Sequence, residues 1–330
     1  MKKQEAKIIR WGILGLGHIA HKFSQDLLTV KGAQLHAVAS RSREKAISFA
    51  KEFQVSISYD SYELLVKDPT IDAIYIATPH SFHKEHSILC LQHKKAVLCE
   101  KAFAVNKKEV QQMIDASKQY NTFLMEAFWV IFRPKFKKVL AIMNSEDLGK
   151  LKFVKSDFMF NGEFNPENRL YNIDLGGGSL LDIGIYPVFT ALMLLGKPDN
   201  IKTLPHFSST GSEESISMLF GYKNGATAVL TSSFDAHSKN ETELCFENGI
   251  IKYDRFSNEP ILLITTEKTQ LIDFVSGPNL GYHYEASHVM ECLDKNLIES
   301  PILTNTLSLD LMQILDSVRK EANIVFPNHD

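Results

Sequence analysis

Apolar positions in the first third of the chain come in short, nearly unbroken runs, separated by longer stretches with helical spacing. Runs at residues 8–14, 34–39, 73–77, 96–99 and 123–126 read as buried strands. Residues 19–30, 44–53, 81–93 and 106–119 read as the helices between them, with Asn106 placed to cap the last. Short apolar strands alternating with helices specify βαβ units and a parallel sheet, and right-handed crossovers make it doubly wound. Ligands of such sheets collect at the carboxyl ends of the strands.

From residue 151 the pattern changes to period two. Residues 215–220 alternate, with Ile216, Met218 and Phe220 on one face, and residues 226–232 alternate as well. Asn224-Gly225 lies between them as a hairpin signal, and Asn248-Gly249 repeats it between residues 243–246 and 250–253. Further strands are expected at 261–265 and 271–274, then closing helices at 284–295 and 306–321. The expected fold class is therefore α/β. A doubly wound Rossmann domain at residues 1–126 precedes an α+β domain at 127–330 built on a mostly antiparallel sheet.

Composition narrows the function classes. The 330 residues are 44% hydrophobic and 23% charged, ordinary values for a globular protein. A formal net charge of -3 gives no basis for a nucleic-acid or anionic-membrane partner. The start, MKKQEAKIIRWG, has no apolar core of a signal peptide, and no apolar run in the sequence reads as a bilayer span. Cys90, Cys99, Cys245 and Cys292 are scattered without a C-x-x-C pair, which fits reduced thiols in the cytoplasm.

The first strand runs into Gly15-Leu16-Gly17-His18-Ile19-Ala20, a G-x-G-x-x-A pattern opening a helix. Gly15 permits the sharp turn, Gly17 keeps side chains away from a pyrophosphate, and Ala20 lets the helix pack close to the strand. The helix N-terminus at His18 and Ile19 then presents free N–H groups to the phosphates. The second strand ends in Ser40-Arg41-Ser42-Arg43, with no acid to accept from the ribose 2′-hydroxyl of NAD. Hydroxyls and arginines suit a 2′-phosphate, so NADP is favoured over NAD. Ser40 is also placed to cap the following helix. Thr78, Pro79, Glu100 and Lys101 stand at later strand ends, where a dinucleotide would reach them. His83 and His86 share a helix face, but a third ligand is not evident, so no metal is expected and a surface or nucleotide-edge role is preferred.

The segment Asp174-Leu175-Gly176-Gly177-Gly178-Ser179-Leu180-Leu181-Asp182 allows backbone to come close to something, and Ser179 with Asp182 fits a capping box. Tyr186 follows Asp182 by one turn on the same face, and Pro187 can kink the helix there.

Together, GLGHIA, ATPHSFH, CEKAF, MEAFWVIFRP, GGGSLLDIGIYP and YEASHVMECL resemble the glucose-fructose oxidoreductase/inositol dehydrogenase/MocA-type family. The likeness is greatest to its dihydrodiol and xylose dehydrogenase branch. The resemblance implies a C-terminal domain whose open sheet packs against a partner subunit, hence a homodimer or higher homo-oligomer. It implies Lys101 as the lysine of the family's Glu-Lys-Pro motif, although Ala102 replaces the proline. It implies Tyr186 as the acid/base tyrosine, with Asp182 one turn before it, and Arg169 and Trp129 facing substrate. Ile131 departs from the family, where an arginine is common. The implied reaction is reversible hydride transfer between NADP and a secondary alcohol of a sugar, polyol or trans-dihydrodiol. A free tyrosine titrates near pH ~10, and an ammonium such as Lys101 would lower that. Two other readings share these residues: a nicotinamide-dependent glycosidase of the same fold, and a non-catalytic NADP sensor. Lys101, Asp182 and Tyr186 together argue against the sensor.

Overall fold

The computed structural model describes residues 8–330, so the leader expectation for the chain's start rests partly on residues outside those described. By packing, the chain divides into two compact units. The first holds the chain up to Ala104, Lys108–Trp129 and Gly277–Ser308, and the second holds Val105–Lys107, Val130–Ser276 and Leu309–Asp330. The division is thus not a single cut, because a late segment folds with the N-terminal one.

The first unit is built on β1 (Ile9–Leu14), β2 (Ala33–Ala39), β3 (Ile57–Tyr59), β4 (Ala73–Ile76), β5 (Ala96–Glu100) and β6 (Leu124–Ala127). Their order is β3-β2-β1-β4-β5-β6 and every pairing is parallel. The connecting helices are α1 (His18–Leu27), α2 (Arg43–Glu52), α3 (Tyr62–Lys67), α4 (His83–Gln92) and α5 (Lys107–Tyr120). Strand order reverses between β1 and β4, which defines the crevice where doubly wound sheets bind ligands. Ile13, Leu14, Ile74, Ile76, Val97 and Leu98 are fully buried, as strands covered on both faces require. The short edge pair β3–α3 escapes the sequence pattern because the segment SISYDSYE is polar and only half buried.

The second unit carries α6 (Pro134–Ser145), β7 (Leu151–Met159), α7 (Ile185–Leu195), β8 (Asn200–Phe207), β9 (Glu213–Gly221), β10 (Thr227–Ser233), β11 (Glu241–Phe246), β12 (Gly249–Asp254), β13 (Ile261–Thr265) and β14 (Thr269–Ile272). These strands form one sheet ordered β14-β13-β12-β11-β7-β10-β9-β8, antiparallel except for the β7–β10 pair. Ile216, Met218, Phe220, Ala228 and Leu230 fill its buried face, as alternation predicts. Asn224-Gly225 makes the expected turn: Gly225 has φ +82° and the Asn224 side chain accepts from Ala226 N at 3.0 Å. Asn248-Gly249 differs, because Gly249 already belongs to β12 and an added Cβ would lie 2.8 Å from the Ile264 carbonyl oxygen. The chain ends with α8 (Tyr282–Asp294) and α9 (Asn305–Ala322).

One expectation needs correcting. Residues Ile173–Leu195 are long and apolar enough to cross a bilayer, yet 83% of the qualifying window is buried within the protein. The segment is a core helix, which shares the composition of a membrane span without its lipid-facing surface.

Candidate functional site

At the switch point, Gly15 has φ +90° and sits so close to β4 that an added Cβ would be 2.8 Å from the Thr78 methyl. Only glycine fits that backbone and that gap. Gly17 is the reverse case: an added Cβ there would meet no protein atom within 4 Å. Gly17 is also the N-cap of α1 and, having no side chain, gives that helix no side-chain cap of its own. The open space at the start of this helix, at the positive end of its dipole, fits a dinucleotide pyrophosphate. Ala20, one turn in, is fully buried.

Beside this cradle, Ser40 ends β2 and its hydroxyl accepts from Ser42 N at 3.2 Å. The cap of α2 is Ser42, accepting from Lys45 N, which corrects the expectation that Ser40 caps it. Arg41 is exposed and lies over the Phe82 ring at 5.6 Å. Phe82 in turn stacks on His86. His86 Nδ1 is 3.0 Å from the Thr78 hydroxyl, and burial pushes its pKa down to about 4, so it is neutral at physiological pH.

His83 is fully buried, which rules out the surface role expected for it. Its ring bridges two strand ends, with Nδ1 2.8 Å from Ala102 O and Nε2 2.7 Å from Thr78 O. His80 Nε2 lies 3.2 Å from Lys101 O. These two rings hold the segment after β5, where the family's proline is replaced by Ala102. The Lys101–Ala102 peptide is cis.

Glu100 is buried behind that segment. One carboxylate oxygen accepts from the Tyr75 hydroxyl and the other from Lys101 N at 3.2 Å. Glu285 on α8 is also buried, and neither of its oxygens has a hydrogen-bond partner among the described residues. Burial first, then the nearby Glu100 and Asp26, pushes the Glu285 carboxyl well above the ordinary carboxylate range. Trp129 is buried with its ring 4.8 Å from Tyr282. Tyr75 and Glu285 were not singled out from sequence. Each looks locally like a core residue, and only the fold brings it to this strand edge.

In the second unit, Arg169 grips Asp182 with two hydrogen bonds, at 3.1 Å and 3.4 Å. Asp182 is buried, while the Arg169 side chain stays 52% exposed. Tyr186 is buried in an aromatic wall, with ring centroids 5.5 Å from Phe158 and 5.3 Å from Phe256. The capping box is overturned. Ser179 directs its hydroxyl to Ser232 at 3.0 Å, and the Leu180 N–H is capped instead by Glu213 Oε1 at 2.7 Å. Residues Leu180–Gly184 form a wide π turn before α7. Pro187 lacks an N–H for Ile183, and a widened turn directly upstream accommodates that loss. The glycines make room for the chain itself. A Cβ on Gly177 would be 2.7 Å from Asn172 O, and one on Gly178 would be 2.3 Å from Glu213 Oε2.

Comparison with known proteins agrees with this architecture. Residues 9–128 match the GFO/IDH/MocA model described as an oxidoreductase family with an NAD-binding Rossmann fold. Residues 136–252 match the GFO/IDH/MocA C-terminal domain. The trans-1,2-dihydrobenzene-1,2-diol dehydrogenase of Xenopus laevis is 35% identical over 331 residues, covering 96% of this chain and 99% of its own. An aldose-aldose oxidoreductase from Caulobacter crescentus superimposes with a TM-score of 0.87 at 22% identity, covering 96% of this chain and 98% of its own. A 3-ketoreductase from Actinomadura kijaniata, solved in complex with NADP, gives 0.85 at 22%, with the same coverage. The fold and site define a dinucleotide-binding oxidoreductase, and the chain belongs to the GFO/IDH/MocA family.

Proposed function

We propose that the chain is an NADP-dependent dehydrogenase or reductase acting on a secondary alcohol of a sugar, polyol or trans-dihydrodiol. The observation that carries this reading is the open space at Gly17, at the N-terminus of α1, beside a β2 end that has Arg41 and no acid. Gly15, Gly17, His18, Ile19 and Ala20 would hold the pyrophosphate, and Ser40 and Arg41 the 2′-phosphate. Thr78, Pro79, Glu100 and Lys101 would line the path toward the nicotinamide, with His83 acting through the two carbonyls it holds. The relatives support the substrate class: the Xenopus protein is named for a dihydrodiol and the Caulobacter protein for aldoses.

The bound dinucleotide would supply the hydride acceptor or donor. Tyr186 would exchange the hydroxyl proton as general acid/base, and Lys101 would favour the phenolate by its charge. Arg169 would fix the Asp182 carboxylate, and Asp182 would orient the substrate with Trp129 as an apolar wall. The four cysteines are free thiols, in keeping with work in the cytoplasm. The sheet of the second unit exposes Leu204 (77%), Leu219 (50%) and Val229 (36%) on its outer face, which a second copy would cover as a homodimer.

Turnover of a sugar and diol panel with NADP and NAD tests the reading. Tyr186→Phe is expected to keep the melting temperature and lower turnover at least roughly 100-fold. Turnover within a few-fold of the parent would remove Tyr186 from the mechanism. Arg41→Asp is expected to weaken NADP by about tenfold or more and to spare NAD; equal losses for both would refute the 2′-phosphate assignment.

A further inference from the structure

Three basic side chains gather in the second unit around a small cavity of about 10 Å³. It is lined by Arg133, Lys135 and Arg255, together with Tyr253, Thr190 and Phe189. No acidic residue is in the lining. All three basic residues are at least nine-tenths buried, with relative exposures of 5%, 2% and 5%. Buried charges are costly unless they are paired and hydrogen-bonded.

Among the described residues, the hydrogen-bond partners of Lys135 and Arg255 are neutral. Arg133 donates to Arg255 O and Asn258 Oδ1. Lys135 Nζ donates to Asp254 O at 2.8 Å and to the Ser257 hydroxyl at 3.2 Å. Arg255 donates to the hydroxyls of Ser156 and Thr242 and to Asp157 O. Its Nε–H, fully buried, has no hydrogen-bond partner among the described residues. Asp254, Asp157 and Glu259 act on Lys135 or Arg255 only through space. The Asp254 carboxylate is already engaged by Phe256 N and Ser257 N, and that of Asp157 by Ser238.

We propose that this cavity is a binding site for a single monatomic anion of the halide class, chloride in the cell, held between the start of α6, the end of β12 and the middle of α7. The volume matches about one water-sized sphere, which excludes phosphate, sulfate and carboxylates as occupants. A halide accepts from N–H donors in any direction, so it can take the unmet Arg255 Nε–H without a set geometry. It also supplies the negative charge that the lining lacks. Burial and Arg133 hold the Lys135 pKa down to about 8, so the ammonium is still present near neutrality to attract it. The anion would tie β12 and α6 to α7, the helix that carries Tyr186 in its first turn. The proposal does not depend on the catalytic reading, and its test needs no substrate.

The test uses the full chain in sodium chloride, sodium bromide and sodium gluconate at matched ionic strength. Chloride and bromide are expected to raise the melting temperature by roughly 5 °C with saturation, while gluconate does not. A Lys135→Met variant is expected to lose at least half of that difference. Crystals grown in sodium bromide should show an anomalous peak within the cavity. Identical melting curves in chloride and gluconate would overturn the proposal, as would a steady, non-saturating rise with chloride. A water in the cavity at molar bromide would overturn it as well. If Lys135→Met fails to fold, the bromide peak in the parent protein decides alone.

Discussion

Two glycine-rich turns in this chain lead into helices and have opposite physics. At Gly15–Gly17 the second glycine faces open space and, as the N-cap of the helix behind it, offers no side chain to cap it. At Gly177 and Gly178 the glycines press on their own chain, and the first helical N–H is taken by the Glu213 carboxylate. The first turn leaves open space beside the backbone donors of its helix. The second has satisfied its own by burying a carboxyl group beneath the loop. Glycine content therefore does not mark a ligand site.

The difference can be broken most severely at Gly178. Alanine there would need a φ of +129° and would collide with a buried carboxylate. Gly178→Ala is expected to cost on the order of 3 kcal/mol, read as a shift in a urea unfolding midpoint. A variant as stable as the parent would mean that Glu213 does not fill that gap.

At Gly17 the expected loss is in binding. Gly17→Val has room on the protein side and an ordinary backbone, so stability should change by less than about 0.5 kcal/mol. Dinucleotide affinity should fall by roughly 100-fold, as titration of the reduced cofactor would show, because the side chain takes the place of the phosphates. Unchanged affinity would move the cofactor away from this turn.

The smallest effect sharpens the second turn through pH. Burial pushes the Glu213 carboxyl up to about 7, against a partial lowering by its bond from Leu180 N. A carboxyl held above its ordinary value binds its proton more tightly in the folded state. Its contribution is then fully present below pH about 4.5 and is lost as the pH rises through about 7. Glu213→Gln keeps an acceptor for Leu180 and cannot ionise. It is expected to remove that decline between those limits, measured by unfolding at several pH values. An unchanged pH profile would place the titration elsewhere.

Much of this was legible in the linear order of residues. Continuous apolar runs against helical spacing specify the parallel sheet, and period two specifies the second sheet, because both signals are set by neighbours within one element. The G-x-G-x-x-A turn was legible for the same reason, as was the acid-free end of β2.

Other features exist only through contacts between distant residues. Ser179 looks like a cap by spacing, yet Glu213, on a strand formed later in the chain, reaches the helix first. His83 looks like a surface or ligand histidine until the ends of β4 and β5 close on both its nitrogens. Arg133, Lys135 and Arg255 are unremarked basic residues until α6 and β12 bring them to one cavity. Residues Gly277–Ser308 follow the second sheet in sequence but pack with the first. Local periodicity decides which elements form. Which buried polar group meets which donor is decided only when elements far apart in the chain are packed together.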